Sequence, residues 1–217
     1  MSDIFHEVDE EVRREKLKQL WERHGNLIVA FALLVVLAVG GWRGYEWWDS
    51  KKAAESGAAF EAAVALGESG KQAEAQEAFA KLAKDGSSGY RVLARFREAA
   101  ELAKSDGAAA VKLYDALAAD SGLGRAMQDL AGIRAGLILV DSAPLAELSP
   151  RLEPLTAADR PFRHSARELL AIGAWRLGDT AVAKRWFDLI ASDIETPAGT
   201  RQRMDVLMTL SGEKAKT

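Results

Sequence analysis

The sequence predicts an all-α chain: one N-terminal transmembrane helix followed by a solenoid of helical hairpins. Three observations carry this. Residues 26–42 contain no charged side chain. Beyond residue 50 alanine is abundant, the first proline is Pro144, and no stretch alternates with the period of a strand. Short Gly-, Asp- and Ser-bearing turns divide that region into segments of helical length, roughly 12 to 18 residues.

The elements follow in order. Residues 1–25 are strongly charged, with Arg13, Arg14, Lys16, Lys18 and Arg23 interleaved among acidic residues. Val8, Val12, Leu17, Leu20 and Trp21 fall close to helical spacing, which fits an amphipathic helix on a membrane surface. A solvated tail without fixed structure fits equally well.

Residues 26–48 are the expected anchor. As a helix, the 17 uncharged residues span about 25 Å at 1.5 Å per residue. That lies within the range of spanning helices. Lipid offers the backbone no hydrogen bonds, so an inserted segment must be helical. Trp42, Tyr45, Trp47 and Trp48 form an interfacial belt at its C-terminal end, and Arg43 can snorkel outward. At about 100° per residue, Gly40 and Gly44 share a face, with Trp42 nearly opposite. That face suits close approach of a partner helix. Ala38-Val39-Gly40 resembles a cleavage site, but the long acidic stretch before it is unlike a secretory signal, so retention is expected. Five Lys and Arg residues in 13–23, against Arg43, Lys51 and Lys52 beyond Trp42, place the N-terminus in the cytoplasm.

Residues 49–211 read as the repeat domain and 212–217 as a flexible tail. Turn signals stand at Gly67–Gly70, Asp85–Gly89, Ser105–Gly107, Asp120–Gly122, Asp141-Ser142, Gly178-Asp179 and Thr196-Pro197. Ala75, Phe79 and Leu82 form an Ala-x3-aromatic-x2-aliphatic pattern that returns at Ala110, Tyr114 and Leu117 and again at Ala183, Phe187 and Ile190. A period near 35 residues with Ala-x3-Phe in the second helix is the tetratricopeptide signature. The expected middle copy lacks the pattern. There Pro144, Pro150, Pro154 and Pro161 should break regular helix, leaving either a degraded repeat or a binding loop.

This order of parts resembles the ancillary Sec-translocon subunit family (YfgM-like proteins). The resemblance rests on Gly41-Trp42-Arg43, the Trp47-Trp48 pair, Leu177-Gly178-Asp179, Ala183-Lys184-Arg185-Trp186-Phe187 and Asp193-Ile194-Glu195-Thr196-Pro197. It implies a single-pass protein of the bacterial inner membrane with its repeats in the periplasm. It also implies partners: the Sec translocon, a membrane-anchored periplasmic prolyl isomerase and a chaperone network. The proline-rich third hairpin departs from the family's pattern.

Chemistry is excluded by what is missing. The chain has no cysteine and three histidines. It has no zinc spacing, no phosphate loop and no nucleophile elbow. His164 reads as a surface or cap residue. A net charge of −3 gives no argument for nucleic acid. Neither a cofactor nor a small-molecule substrate is expected, and the chain does not read as an enzyme. The leading expectation is a membrane-anchored protein-interaction scaffold. The alternatives are a periplasmic holdase, with Tyr90, Trp175 and Trp186 as candidate surface, or an assembly factor of another envelope complex.

Overall fold

A computed structural model describes the backbone of residues 3–214, and the side chains of 14–210 except Leu17 and Leu20. Every element in this range is helical. Helix α1 runs Asp3–Glu68, α2 Gln72–Asp85, α3 Ser88–Leu102, α4 Gly107–Ala118 and α5 Arg125–Leu139. Helix α6 is Leu145–Leu152, followed by a 3-10 turn, Glu153–Thr156. The chain ends with α7, Arg163–Arg176, α8, Thr180–Ser192, and α9, Ala198–Lys214. It divides into two compact units, Met1–Ala54 and Glu55–Thr217.

The first unit is a single length of α1. Residues 26–42 lie inside it, and their large apolar side chains, from Leu27 to Val39, are exposed. This is the one helix among the described residues long and apolar enough to cross a membrane; its most apolar window has a mean hydropathy of 2.2 and is 0% buried. The N-terminal segment continues the same helix. Its apolar positions Val8, Val12, Leu17 and Leu20 lie outside the described side chains, and Trp21 is exposed.

The second unit is built of stacked helices. Alpha-helix 2 packs most extensively on α3, α4 on α5, and α7 on α8. Termini follow from local chemistry. Gly70 and Gly178 take φ of +82° and +77°, the left-handed conformation that glycine enters without steric cost. There Lys71 N–H donates to Leu66 O and Asp179 N–H to Ala174 O, both at 3.0 Å, closing α1 and α7 with their last carbonyls satisfied. Asp106 and Asp179 cap the next helices, accepting from Ala109 N and Val182 N at 2.9 and 3.0 Å. Arg176 of α7 closes α5 from outside, donating to Val140 O at 2.9 Å and to Ala143 O.

Three apolar clusters make the core. The first joins Ala63, Ala75, Phe79, Leu82 and Ala94, with Phe60 edge-on to Phe79 at 5.4 Å. The second surrounds Tyr114 and Leu117 between α3 and α5. The third and largest runs from Ile133 to Met204 and encloses α6 and α7.

The proline-rich stretch corrects one expectation. Pro150 sits inside α6 rather than breaking it. The acceptor it leaves, Ala146 O, belongs to an exposed residue open to water. Arg151 Nη1 adds a bond to Glu147 O at 2.9 Å. Pro154 lies second in the 3-10 turn, in the first turn where a missing N–H costs nothing.

Candidate protein-interaction surface

Alpha-helices 2, 4 and 8 each present one buried row to their neighbours. Ala75 and Phe79 in α2, Ala110 and Tyr114 in α4, and Ala183 and Phe187 in α8 are all buried. The alanines let helices approach, and the aromatics fill the space between them. Tyr114 lies 6.1 Å from Phe96 of α3, and its hydroxyl donates to Phe96 O at 3.4 Å.

Sequence pattern missed the corresponding row in α6. Leu148, Leu152 and Leu155 stand 38, 38 and 38 residues beyond Ala110, Tyr114 and Leu117, and all three are buried. A leucine replaces the alanine, so the partner helices give up volume. A Cβ on Gly173 of α7 would lie 2.8 Å from Leu148 Cδ1, and one on Gly136 of α5 would lie 2.8 Å from Leu152 Cδ2. A Cβ on Gly132 would lie 3.0 Å from Leu155 Cδ1. Glycine within a helix is costly without such a reason, so Gly132, Gly136 and Gly173 were the available signal. The third hairpin is a packed repeat with its sizes inverted.

Polar staples join elements about one repeat apart in sequence. Arg151 of α6 grips Asp115 of α4 with two bonds, at 3.1 and 2.8 Å. Arg160 Nη2 reaches the fully buried Asp129 at 2.5 Å. Arg203 of α9 holds Glu168 of α7 at 2.6 and 2.9 Å. Asp193, after α8, accepts from Arg163 at 3.1 Å and Arg167 at 2.8 Å. Arg163 first, then the Glu195 N–H and Arg167, hold the Asp193 carboxyl far below the ordinary carboxylate range. These pairings depend on the stacking and left no trace in local sequence.

His164 belongs to this last cluster and is not a surface residue, its side chain being 14% exposed. Its Nδ1 lies 3.2 Å from Thr196 Oγ1 and 3.9 Å from Asp193 Oδ2. Thr196 spends its one proton on Ile190 O at 2.8 Å, so Nδ1–H is the donor to Thr196. A hydrolytic triad needs hydroxyl and carboxylate on opposite ring nitrogens; here both face the same one. Burial, then Arg163, lowers the His164 pKa. Among the described residues no group of His, Asp and Glu converges as metal ligands. The three candidate aromatics do not make an open surface: Trp186 is buried, and Tyr90 and Trp175 are half-buried.

The outward faces of α3 and α5 carry Leu93, Arg97, Arg134 and Leu137, all exposed. Burial raises the pKa of Tyr114, and both Arg134 and Arg97 oppose that rise. Arg97 and Arg134 therefore both act electrostatically on the same buried tyrosine. Both guanidiniums are exposed donors for charge-assisted hydrogen bonds. In the first unit, Trp42, Tyr45, Trp47 and Trp48 are exposed, and a side chain added at Gly40 or Gly44 would meet nothing within 4 Å.

The sequence profile of the tetratricopeptide repeat-like domain matches residues 18–170. The match takes in the apolar stretch of α1 and continues into α7. No curated protein and no solved structure matches the chain. Domains of this type are generally protein-interaction modules rather than enzymes. With most of its length matched, the chain belongs to the tetratricopeptide repeat-like domain family.

Proposed function

We propose that this chain is a single-pass inner-membrane scaffold whose repeat domain recruits protein partners. Residues 26–42 span the bilayer, with the N-terminus in the cytoplasm and the repeats in the periplasm. Trp42, Tyr45, Trp47 and Trp48 fix the depth of the outer end, and Gly40 and Gly44 admit a partner helix. The resemblance described above points to the Sec translocon and a membrane-anchored periplasmic prolyl isomerase as partners, linking translocation to chaperones. What supports the reading is one contrast. The repeat unit has its own apolar core, while the large apolar side chains of residues 26–42 have no protein cover. Tethering then raises the concentration of the repeats near a membrane partner without a new contact.

The holdase alternative calls for contiguous exposed aromatic surface. Beyond residue 54 the exposed large apolar side chains are aliphatic or methionine, and the exposed aromatics all precede residue 49. That composition, with Arg97 and Arg134 exposed, favours defined partners over unfolded chains.

Crosslinking in native membranes followed by mass spectrometry tests the proposal. Translocon and isomerase peptides should be recovered, and Arg97→Glu with Arg134→Glu should deplete the partner held by the α3–α5 face. Recovery of unrelated secreted chains alone would favour a holdase. Protease added to spheroplasts should digest residues 50–217; their full protection would reverse the topology.

A further inference from the structure

The odd-numbered helices share a register that sets what they present outward. Ala99 of α3, Gly136 of α5 and Ala174 of α7 are buried small residues, 37 and 38 residues apart. Two residues before each stand Arg97, Arg134 and Ile172. That offset is about 200° of helix, so all three point away from the packed side. Arg97 and Arg134 are exposed, and neither has an ion-pair partner among the described residues. The carboxylates on their own helices are engaged elsewhere. Glu98 is under the influence of Lys84 and Arg95, Glu101 is held by Lys104 at 2.6 Å, and Asp129 by Arg160 at 2.5 Å. Glu61 and Glu68 of α1, and Asp141 beyond α5, are exposed and pair with neither arginine.

The face changes character at α7. There Ile172 lines a cleft of about 390 Å³ with Met204, Val206 and Leu207 of α9. The two charged residues in the lining, Glu168 and Arg203, bond to each other at 2.6 and 2.9 Å. The rest of the cleft is largely apolar, with Val206 exposed at its edge. We propose that this face takes one protein segment, acidic at one end and aliphatic at the other. Its carboxylates pair with Arg97 and Arg134 through charge-assisted bonds, and its aliphatic side chains fill the α7–α9 cleft. This rests on the reading of the repeat domain as a scaffold for protein partners. Neighbouring helices pack about 8–10 Å apart, so the three steps from α3 to α9 cover roughly 25–30 Å. An extended segment of about nine residues crosses that distance.

The test uses the full chain in lipid nanodiscs and a fluorescein-labelled peptide that joins a glutamate block to a leucine block, with empty discs as background. Anisotropy should show binding that weakens in high salt. Replacing the glutamates by lysines, or the leucines by serines, should weaken it about tenfold or more. Arg97→Glu with Arg134→Glu should lose the glutamate peptide and gain the lysine peptide, and that gain separates lost recognition from lost folding. Val206→Glu should remove the advantage of leucine over serine. Equal binding of the glutamate and lysine peptides, or binding of neither, overturns the proposal. A glutamate preference that survives the double charge reversal also overturns it, because the cations then lie elsewhere. If crosslinking in native membranes recovers protein partners while the peptides do not discriminate, the scaffold reading stands and the acidic–aliphatic segment alone is lost.

Discussion

In α2, α4 and α8 a small alanine stands one turn before a bulky aromatic. In α6 the same two places hold Leu148 and Leu152. Both arrangements reach full burial, by opposite divisions of volume. Around Phe79 and Phe187 the space is filled from the even-numbered helix. Around α6 it is shared, because Gly136 and Gly173 on the flanking helices leave room for leucine methyls that an alanine there would strike. A repeat position is therefore defined by the volume a pair of helices fills together, not by the residue type on one of them.

The largest test of that equivalence removes the bulk. Leu152→Ala in the fragment 50–217 should cost about 2–5 kcal/mol, and Phe187→Ala about 3–5, because both leave cavities in one cluster. Urea unfolding followed by circular dichroism reads both. A binding loop at 144–161 would instead tolerate Leu152→Ala with little loss, and the two regions would then differ in kind.

The comparison also marks what sequence could reveal. Turn chemistry was legible, since the glycine and aspartate signals at 67–70, 105–107 and 178–179 are where helices end. Three of the four even-helix rows were legible because alanine and aromatics repeat at one spacing. The α6 row was not, because its signal is split between Leu148 and a glycine 25 residues later. Pro150 misled because a proline breaks a long helix, whereas α6 has only eight residues. Neither the arginine staples nor the site of His164 could be read, because each pairs residues roughly 30 apart through stacking alone.

Electrostatics separates the regions next. The α7–α8 hairpin depends on Asp193 and His164, while α6 is held by Arg151 to Asp115. Both Asp193 and His164 have lowered folded pKa values, so each contributes stability that is lost on acidification. For His164 the loss begins as pH falls below 6.5, where the unfolded chain takes up the proton first. For Asp193 it begins as pH falls below 3.8. The urea midpoint of the fragment should fall in two steps, one below pH 6.5 and one that starts below pH 3.8 and continues as acid is added. His164→Gln should flatten the first step and Asp193→Asn the second; an unchanged profile in both would remove this cluster from the account.

A smaller effect comes from adding one methyl group. Gly173→Ala presses against Leu148, an overpacking that costs about 1–3 kcal/mol, against which alanine's helix propensity returns about 1. A net loss near 1 kcal/mol is expected by that difference. Combined with Leu148→Ala, the same change recreates the alanine of the other rows, and the pair should lose less than the sum of its parts. Additivity would show that the glycine does not answer the leucine.

The smallest prediction separates ion pairs that join helices from those that decorate one. Arg151 and Asp115 meet through two parallel bonds, with side chains 26% and 39% exposed. Lys184 and Asp188 meet within α8, 64% and 61% exposed. Fixing a guanidinium fork costs less entropy per bond than fixing an ammonium, and partial burial weakens screening. The short α6 has few backbone bonds of its own, so a tie to α4 holds it in place where α8 needs none. Arg151→Ala should therefore cost about 1 kcal/mol, the usual worth of a well-formed pair at the edge of a core. Lys184→Ala should cost only a few tenths, as for other exposed i, i+4 pairs. Arg151→Lys keeps the charge and loses the fork, so it discriminates further: most of the loss should remain. If lysine restores full stability, charge alone positions α6, and the bidentate geometry contributes nothing. If Lys184→Ala costs as much as Arg151→Ala, the distinction between repeat-joining and surface pairs does not hold in this chain.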